Sequence, residues 1–148
     1  MLNTLKRLFS VPVESGETIS YQKAIAALLM EVMLADHEID PKEEIKVKEY
    51  LRSLSGLDEG IDELYLDARS GVDQANDLYQ FTKVINDVAS IEQKFLLLKG
   101  LWHVALADGD IDSYEDHRIR RISELLFMPH SEFIQAKIAA QKELTNNA

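Results

Sequence analysis

The chain has 148 residues, which is the length of one ordinary domain. It contains no cysteine, so disulfide scaffolds, thiol nucleophiles and cysteine-ligated zinc sites are excluded. Its 26 acidic and 16 basic residues give a formal net charge of -10, and this charge repels a nucleic-acid backbone. We therefore expect no nucleic-acid partner.

A leader, residues 1–19, precedes the helical domain that we assign to residues 20–148. Four apolar residues of the leader recur at helical spacing with two bases between them: Leu2, Leu5, Leu8 and Phe9, with Lys6 and Arg7. This pattern predicts a short amphipathic helix that either docks on the core or rests on a membrane surface. The longest apolar stretch, 24–35, is interrupted by Glu31 and is shorter than the roughly 20 residues that a bilayer crossing needs. We expect no transmembrane segment.

Beyond the leader, apolar residues recur every three or four positions, a spacing typical of helices. The sequence predicts an all-α protein, a single compact bundle of about seven helices. Prolines and glycines mark the breaks, and capping residues such as Asp40, Ser90 and Asp112 mark the starts. The predicted helices cover 21–35, 41–54, 61–69, 73–88, 91–107, 113–127 and 130–144.

The helical spacing also predicts which side chains form the core. The core set is Leu28, Leu29, Val32, Leu97, Leu98, Leu101, Trp102, Val104, Ala105, Ile122, Leu125 and Leu126. Five further aromatic residues are predicted to lie in the core or at its boundary: Tyr50, Tyr65, Tyr79, Phe81 and Phe95. Gly100 is unfavourable inside a helix by about 1 kcal/mol relative to alanine, so we expect a close helix crossing there.

An internal repeat relates the two halves of the chain at an offset of 72 residues. Residues 29–40 align with 101–112, and seven of the twelve positions are identical. The match continues past this segment, with Glu43 opposite Glu115 and Val47 opposite Ile119. Two copies are too few for a solenoid, so we predict a closed bundle with a pseudo-two-fold repeat, in which each half is a helix, an acidic turn and further helices.

The acidic turn of each repeat has three interpretations. The acids can be structural, with Asp36 and Asp40 accepting hydrogen bonds from turn amides while Ile39 packs inward. They can hold a divalent cation of the calcium or magnesium type, because several carboxylates would otherwise repel one another. They can also form a docking patch for a basic partner. An EF-hand is excluded, because Ser113 and Ile119 stand at the loop positions that require glycine and glutamate.

The candidate cation ligands are the acids of the two turns: Asp36, Glu38, Asp40, Asp108, Asp110 and Asp112. The acids at the helix starts that follow are predicted to help them: Glu43, Glu44, Glu115 and Asp116. The histidines His37, His103 and His117 lack the spacing of a helical zinc site, so we predict surface or hydrogen-bonded roles for them. No phosphate loop, nucleophile elbow or metalloprotease motif occurs in the sequence. We expect no enzymatic activity.

The doubled Ala-Asp-x-x-Ile-Asp turn at 35–40 and 107–112, preceded by Leu-x-x-Val-x-Leu, resembles the TerB-like (tellurite-resistance B) family, a domain that also occurs at the N-terminus of DjlA-type co-chaperones. The resemblance implies a seven-helix bacterial cytoplasmic domain whose acidic turns bind metal. It also implies a link to tellurite and metal stress, and protein partners at the inner membrane. Our hypothesis is a non-catalytic, cation-binding or sensing module. The alternative is a metal-free adaptor whose acidic face docks a basic or membrane-bound protein.

Overall fold

The computed structural model describes residues 19–36, 38–72 and 78–146, and within these ranges the chain forms seven α-helices and no strand. The helices are α1 (Tyr21–Met33), α2 (Pro41–Ser55), α3 (Ile61–Val72), α4 (Tyr79–Val88), α5 (Ile91–Ala105), α6 (Ser113–Leu125) and α7 (His130–Asn146). The all-α prediction is confirmed. The predicted leader helix, His37 and residues 73–77 of the predicted fourth helix lie outside the described residues. No helix in the described ranges has the length and apolar character needed to cross a membrane.

Capping side chains begin the helices where the sequence predicted them. Asp40 accepts a hydrogen bond from the Lys42 amide at 2.7 Å, and Pro41 occupies the first helical position, where its missing N–H has no cost. Ser90 and Gln93 form a complete capping box at α5, and Asp112 and Glu115 form another at α6. These bonds satisfy amides that have no partner inside a helix.

Helix α1 is the centre of the bundle. All its residues from 24 to 33 are buried, and it packs against α2, α3, α4, α5 and α6. A helix that is apolar on all sides is stable only inside a protein, which is why this segment is surrounded by the others. Helix α5 is buried along its second half and packs on α1, α2, α6 and α7, with Trp102 fully buried.

Two of the predicted core positions are wrong. Leu125 is the last residue of α6 and is only half-buried, because the following residue, Leu126, occupies the core position. Tyr79 is the first residue of α4 and is 54% exposed, and the buried face of that helix begins only at Thr82.

The close helix crossing predicted at Gly100 is confirmed. A Cβ atom at this position would lie 2.9 Å from Tyr50 Cδ1 and 3.5 Å from Leu54 Cδ1. Helix α5 therefore approaches α2 more closely than any larger side chain would allow. The contact places the first helix of the second repeat against the second helix of the first repeat, so the two halves of the chain interlock.

Candidate functional site

The first aspartate of each acidic turn closes its own turn. Asp36 Oδ1 accepts a hydrogen bond from the Glu38 amide at 3.0 Å, and Asp108 Oδ1 accepts one from the Asp110 amide at 3.2 Å. Gly109, between the two residues of the second turn, has a φ of 102°, a conformation that glycine adopts without strain. The two turns are thus built alike, as the repeat predicts, and the structural role expected for Asp36 is confirmed.

The third acid of each turn is a helix cap. Asp40 accepts from one amide of α2, and Asp112 accepts from the Tyr114 amide at 2.6 Å and from the Glu115 amide at 3.4 Å. The inward packing expected of Ile39 is wrong, because its side chain is 41% exposed; its equivalent, Ile111, is half-buried against the core. The apolar residue of the turn therefore seals the core in the second repeat only.

Four of the ten candidate ligands are either exposed or paired with other side chains. Glu38 and Asp110 are exposed at the turn tips. Glu44 accepts a hydrogen bond from the Tyr65 hydroxyl and lies 3.8 Å from an Arg69 nitrogen. Asp116 lies 3.8 Å from Arg120 on its own helix. Glu44 and Asp116 thus each have an arginine nearby that balances their charge, and Glu44 also accepts a hydrogen bond from a hydroxyl.

The remaining pair, Glu43 and Glu115, occupies equivalent positions in the two repeats and is buried. Their exposed fractions are only 2% and 1%. The two carboxyls face each other within hydrogen-bonding range. Burial raises the pKa of both groups, and the charges of Asp36 and Asp108 raise the two pKa values further. Two buried carboxyls in contact cannot both be ionised unless a positive charge lies beside them. In the ion-free protein they therefore share a proton.

One oxygen of this pair lacks an ordinary partner. Glu115 Oε1 accepts the Asp112 amide at 3.4 Å, whereas the buried Oε2 has no hydrogen-bond partner among the residues that the structure describes. A buried acceptor without a donor is unfavourable by about 1–3 kcal/mol. A proton carried by Glu43 or an external cation would satisfy Glu115 Oε2.

The donor set has the chemistry of a hard cation site. It consists of four carboxylates: the buried pair, together with Asp36 and Asp108, whose charges raise the pKa values of the pair. Carboxylate oxygens are the ligands of calcium and magnesium, so the residues present fit such an ion. In the described ranges, however, no group of three or more histidine, aspartate or glutamate side chains is arranged to hold a metal ion.

The sequence interpretation took the six acids of the turns as the ligand candidates and gave Glu43 and Glu115 only a helping role. A signal for them exists, because Glu43 precedes the fully buried Val47 by four residues, and Glu115 precedes the fully buried Ile119 by four. Residues four apart share a helix face, so both glutamates had to face the core. The partner of each glutamate, in contrast, lies 72 residues away and only the fold brings them together.

The roles predicted for two of the histidines are confirmed. His103 is buried, stacks on Tyr50 with ring centroids 5.0 Å apart, and its Nε2 lies 2.7 Å from Glu143 Oε1. His117 is exposed. Neither histidine belongs to the carboxylate site.

The comparisons with known proteins agree with this architecture. Neither the curated proteins nor the solved structures include a significant match to the chain. The family model described as tellurite resistance protein TerB matches residues 22–138, a range that begins in α1 and ends near the middle of α7. This family consists of non-enzymatic all-α domains. The chain belongs to the TerB family.

Proposed function

We propose that this domain binds one divalent cation of the calcium or magnesium type between its two acidic turns. The observation that carries the proposal is the buried pair of Glu43 and Glu115, in which Glu115 Oε2 has no N–H donor in the part of the chain that the structure describes. Keeping two carboxyls in the interior is unfavourable for folding unless a positive charge compensates them. A bound cation would supply that charge and explain why both halves of the repeat bring a glutamate to the same point.

We propose Glu43 and Glu115 as the central ligands, with Asp36 and Asp108 as the outer ones. The outer aspartates hold their own turns through Oδ1, and a carboxylate has a second oxygen with which it can bind an ion. Asp40 and Asp112 act as helix caps, and the four peripheral acids described above contribute charge rather than ligands. This narrows the ten candidates of the sequence to four.

The proposed role is that of a non-catalytic sensing module in tellurite or metal stress, which is the context that the family name gives. A cytoplasmic location and a protein partner at the inner membrane belong to the same proposal, and both rest on the family resemblance. Ion binding would fix the relative position of the two turns, and a partner that contacts both turns would then distinguish the loaded domain from the ion-free one.

A metal-free adaptor is the second candidate function. Exposed apolar side chains accompany the acids, with Ile45 at 64% and Tyr114 at 66% exposure beside the buried glutamates in sequence. An acidic surface with exposed apolar side chains suits a basic amphipathic segment of another protein. Such docking would weaken smoothly as salt is added, whereas ion binding at buried carboxylates would depend on the identity of the cation.

Thermal unfolding distinguishes the two candidates. The protein is melted in EDTA and then with calcium, magnesium, manganese or zinc, and the fluorescence of Trp102, its single tryptophan, reports unfolding. A cation at about one hundred times its Kd should add about 2.7 kcal/mol of stability, a rise of several degrees in Tm. No rise with any cation at millimolar concentration would refute ion binding and favour the adaptor.

The ligand assignment is tested with isosteric variants. Asp108→Asn and Asp36→Asn keep the oxygen that holds each turn but lose the charge, so the fold should persist while the cation-dependent rise in Tm disappears. Glu38→Gln and Asp110→Asn are matched controls, because these acids belong to the same turns but, unlike Asp36 and Asp108, are not among the charges that raise the pKa values of Glu43 and Glu115. If the controls lose the effect as fully as the ligand variants, general negative charge rather than a defined site is responsible.

A further inference from the structure

A partly buried ion pair joins one repeat to the other. Arg118 Nη1 lies 2.8 Å from Glu31 Oε2, and the Glu31 side chain is only 6% exposed whereas the Arg118 side chain is 37% exposed. Glu31 is the single charged residue within the buried stretch of α1, and its partner is 87 residues further along the chain. Burial raises the pKa of Glu31, and the charge and hydrogen bond of Arg118 oppose that shift.

The two residues of this pair adjoin opposite halves of the site. Glu31 lies on α1, which runs directly into the turn that holds Asp36. Arg118 follows Glu115 by three residues on α6, so it lies about one helical turn further along nearly the same face. The ion pair therefore joins the segment that carries a ligand of the first turn to the helix that carries a ligand of the second.

The equivalent positions in the other half of the molecule do not form such a bond. The repeat offset of 72 relates Glu31 to His103 and Arg118 to Lys46. Burial lowers the pKa of His103, and the positive charge of Lys46 acts in the same direction, so these two groups do not attract each other. His103 bonds to Glu143 on α7 instead. The repeat thus has a charged cross-link at only one of its two equivalent places.

A buried ion pair adds little net stability, because the desolvation of both charges offsets their attraction, and well-packed apolar residues often serve as well. Its distinctive property is directional, since an arginine and a carboxylate hold a short, defined geometry. At this place the defined geometry is the separation between α1 and α6, and therefore between the two acidic turns.

We infer that Glu31 and Arg118 are positioning residues that fix the distance between the two halves of the cation site without touching the ion. The inference rests on the proposed function. Outer-shell residues of this kind typically change metal affinity by about 10- to 100-fold when replaced. Loss of the pair should therefore weaken calcium or manganese binding even though all four carboxylates are still present.

The test compares ion affinity with folding stability. Removing Arg118 alone would leave the charge of Glu31 unpaired in the interior, so the main variant is the double substitution Glu31→Gln/Arg118→Gln, which keeps two polar side chains of suitable length. Arg118→Lys is the conservative variant and should keep part of the wild-type affinity for the ion. The matched control is Lys99→Gln/Glu143→Gln, since that pair has the same 2.8 Å separation but joins α5 to α7.

Calcium and manganese titrations by calorimetry give the Kd, and urea unfolding in EDTA gives the stability of each ion-free variant. We expect the Kd of the Glu31/Arg118 double variant to rise at least ten-fold, while the control keeps the wild-type Kd even where it loses stability. An unchanged Kd in the double variant, with wild-type protein that binds the ion, overturns the positioning role and leaves the proposed function standing. Wild-type protein that binds neither ion overturns both.

Discussion

Replacing Glu43 by glutamine should stabilise the ion-free domain at neutral and alkaline pH. Burial and the facing Glu115 raise the pKa of Glu43 above the value of 4.5 that it has when solvated. The folded protein therefore retains a proton that the unfolded chain releases, and each pH unit above that value lowers the free energy of unfolding by about 1.4 kcal/mol. Stability is highest in acid and falls as the pH rises toward the pKa of the folded state.

Glutamine has nearly the same shape as glutamic acid and carries no titrating proton, so the variant escapes this loss. Its side-chain N–H can also donate to Glu115 Oε2, the buried oxygen that no other N–H reaches. Over the three pH units from 5 to 8, one retained proton amounts to a gain of up to about 4 kcal/mol relative to wild type. In a domain of this size that corresponds to a Tm difference on the order of 10 °C.

The assay is urea unfolding in EDTA from pH 5 to pH 8, followed by the fluorescence of the fully buried Trp102. Glu38→Gln is the control, because it removes an exposed acid from the first turn and should leave the pH profile of wild type unchanged. Parallel pH profiles for wild type and Glu43→Gln would refute the reasoning, since they would mean that the buried pair holds no extra proton. The Glu43→Gln variant should also bind calcium more weakly, because it lacks a proposed ligand. Its stability without the ion should therefore rise while its affinity for calcium falls.

Four further substitutions test the packing and capping that support the site. Gly100→Ala should destabilise the domain by about 1–3 kcal/mol in urea unfolding, because its Cβ would lie 2.9 Å from Tyr50 Cδ1. Gly71→Ala, whose Cβ meets nothing within 4 Å, should instead gain about 0.5–1 kcal/mol from helix propensity, and equal losses in both would contradict the close crossing. Phe127→Gly should raise the free energy of unfolding by up to about 1 kcal/mol, because Phe127 has a φ of 58° and is 78% exposed; a clear loss of stability would show that the ring makes stabilising contacts. Ser90→Ala should lower the stability by about 1 kcal/mol through loss of the capping box at α5, and calcium affinity should be unaffected because this cap is remote from both turns.

Local rules were enough to predict the helices and their caps. The periodicity of apolar residues and the caps at Asp40, Ser90 and Asp112 depend on neighbours within about four positions, so the sequence contains all the information they need. The bounds of five of the seven helices agree with the prediction to about two residues; α3 runs three residues further, and α4 is described only from Tyr79 onward. The repeat at an offset of 72 likewise predicted two turns of the same build, and both aspartates that close them accept the expected amides.

The prediction failed or stayed open where a residue's role depends on distant parts of the chain. Ile39 and Ile111 are identical in the repeat, yet only Ile111 packs against the core, because burial depends on what surrounds each turn. Glu31 looked like a mere interruption of an apolar stretch, and its ion pair with Arg118 spans 87 residues. The sequence gives the separation of two such positions along the chain but not the distance between them in space.

The amino-acid sequence was sufficient to predict the class of fold, the family and the set of acids from which a site can be formed. Which of these acids matter depends on the fold, because the closure of the repeat buries Glu43 against Glu115 while Asp40 and Asp112 remain helix caps. The difference lies in the range of the interactions. Capping is local and can be read from spacing, whereas desolvation and the repulsion between two carboxyls depend on the packing of segments that lie far apart in the chain.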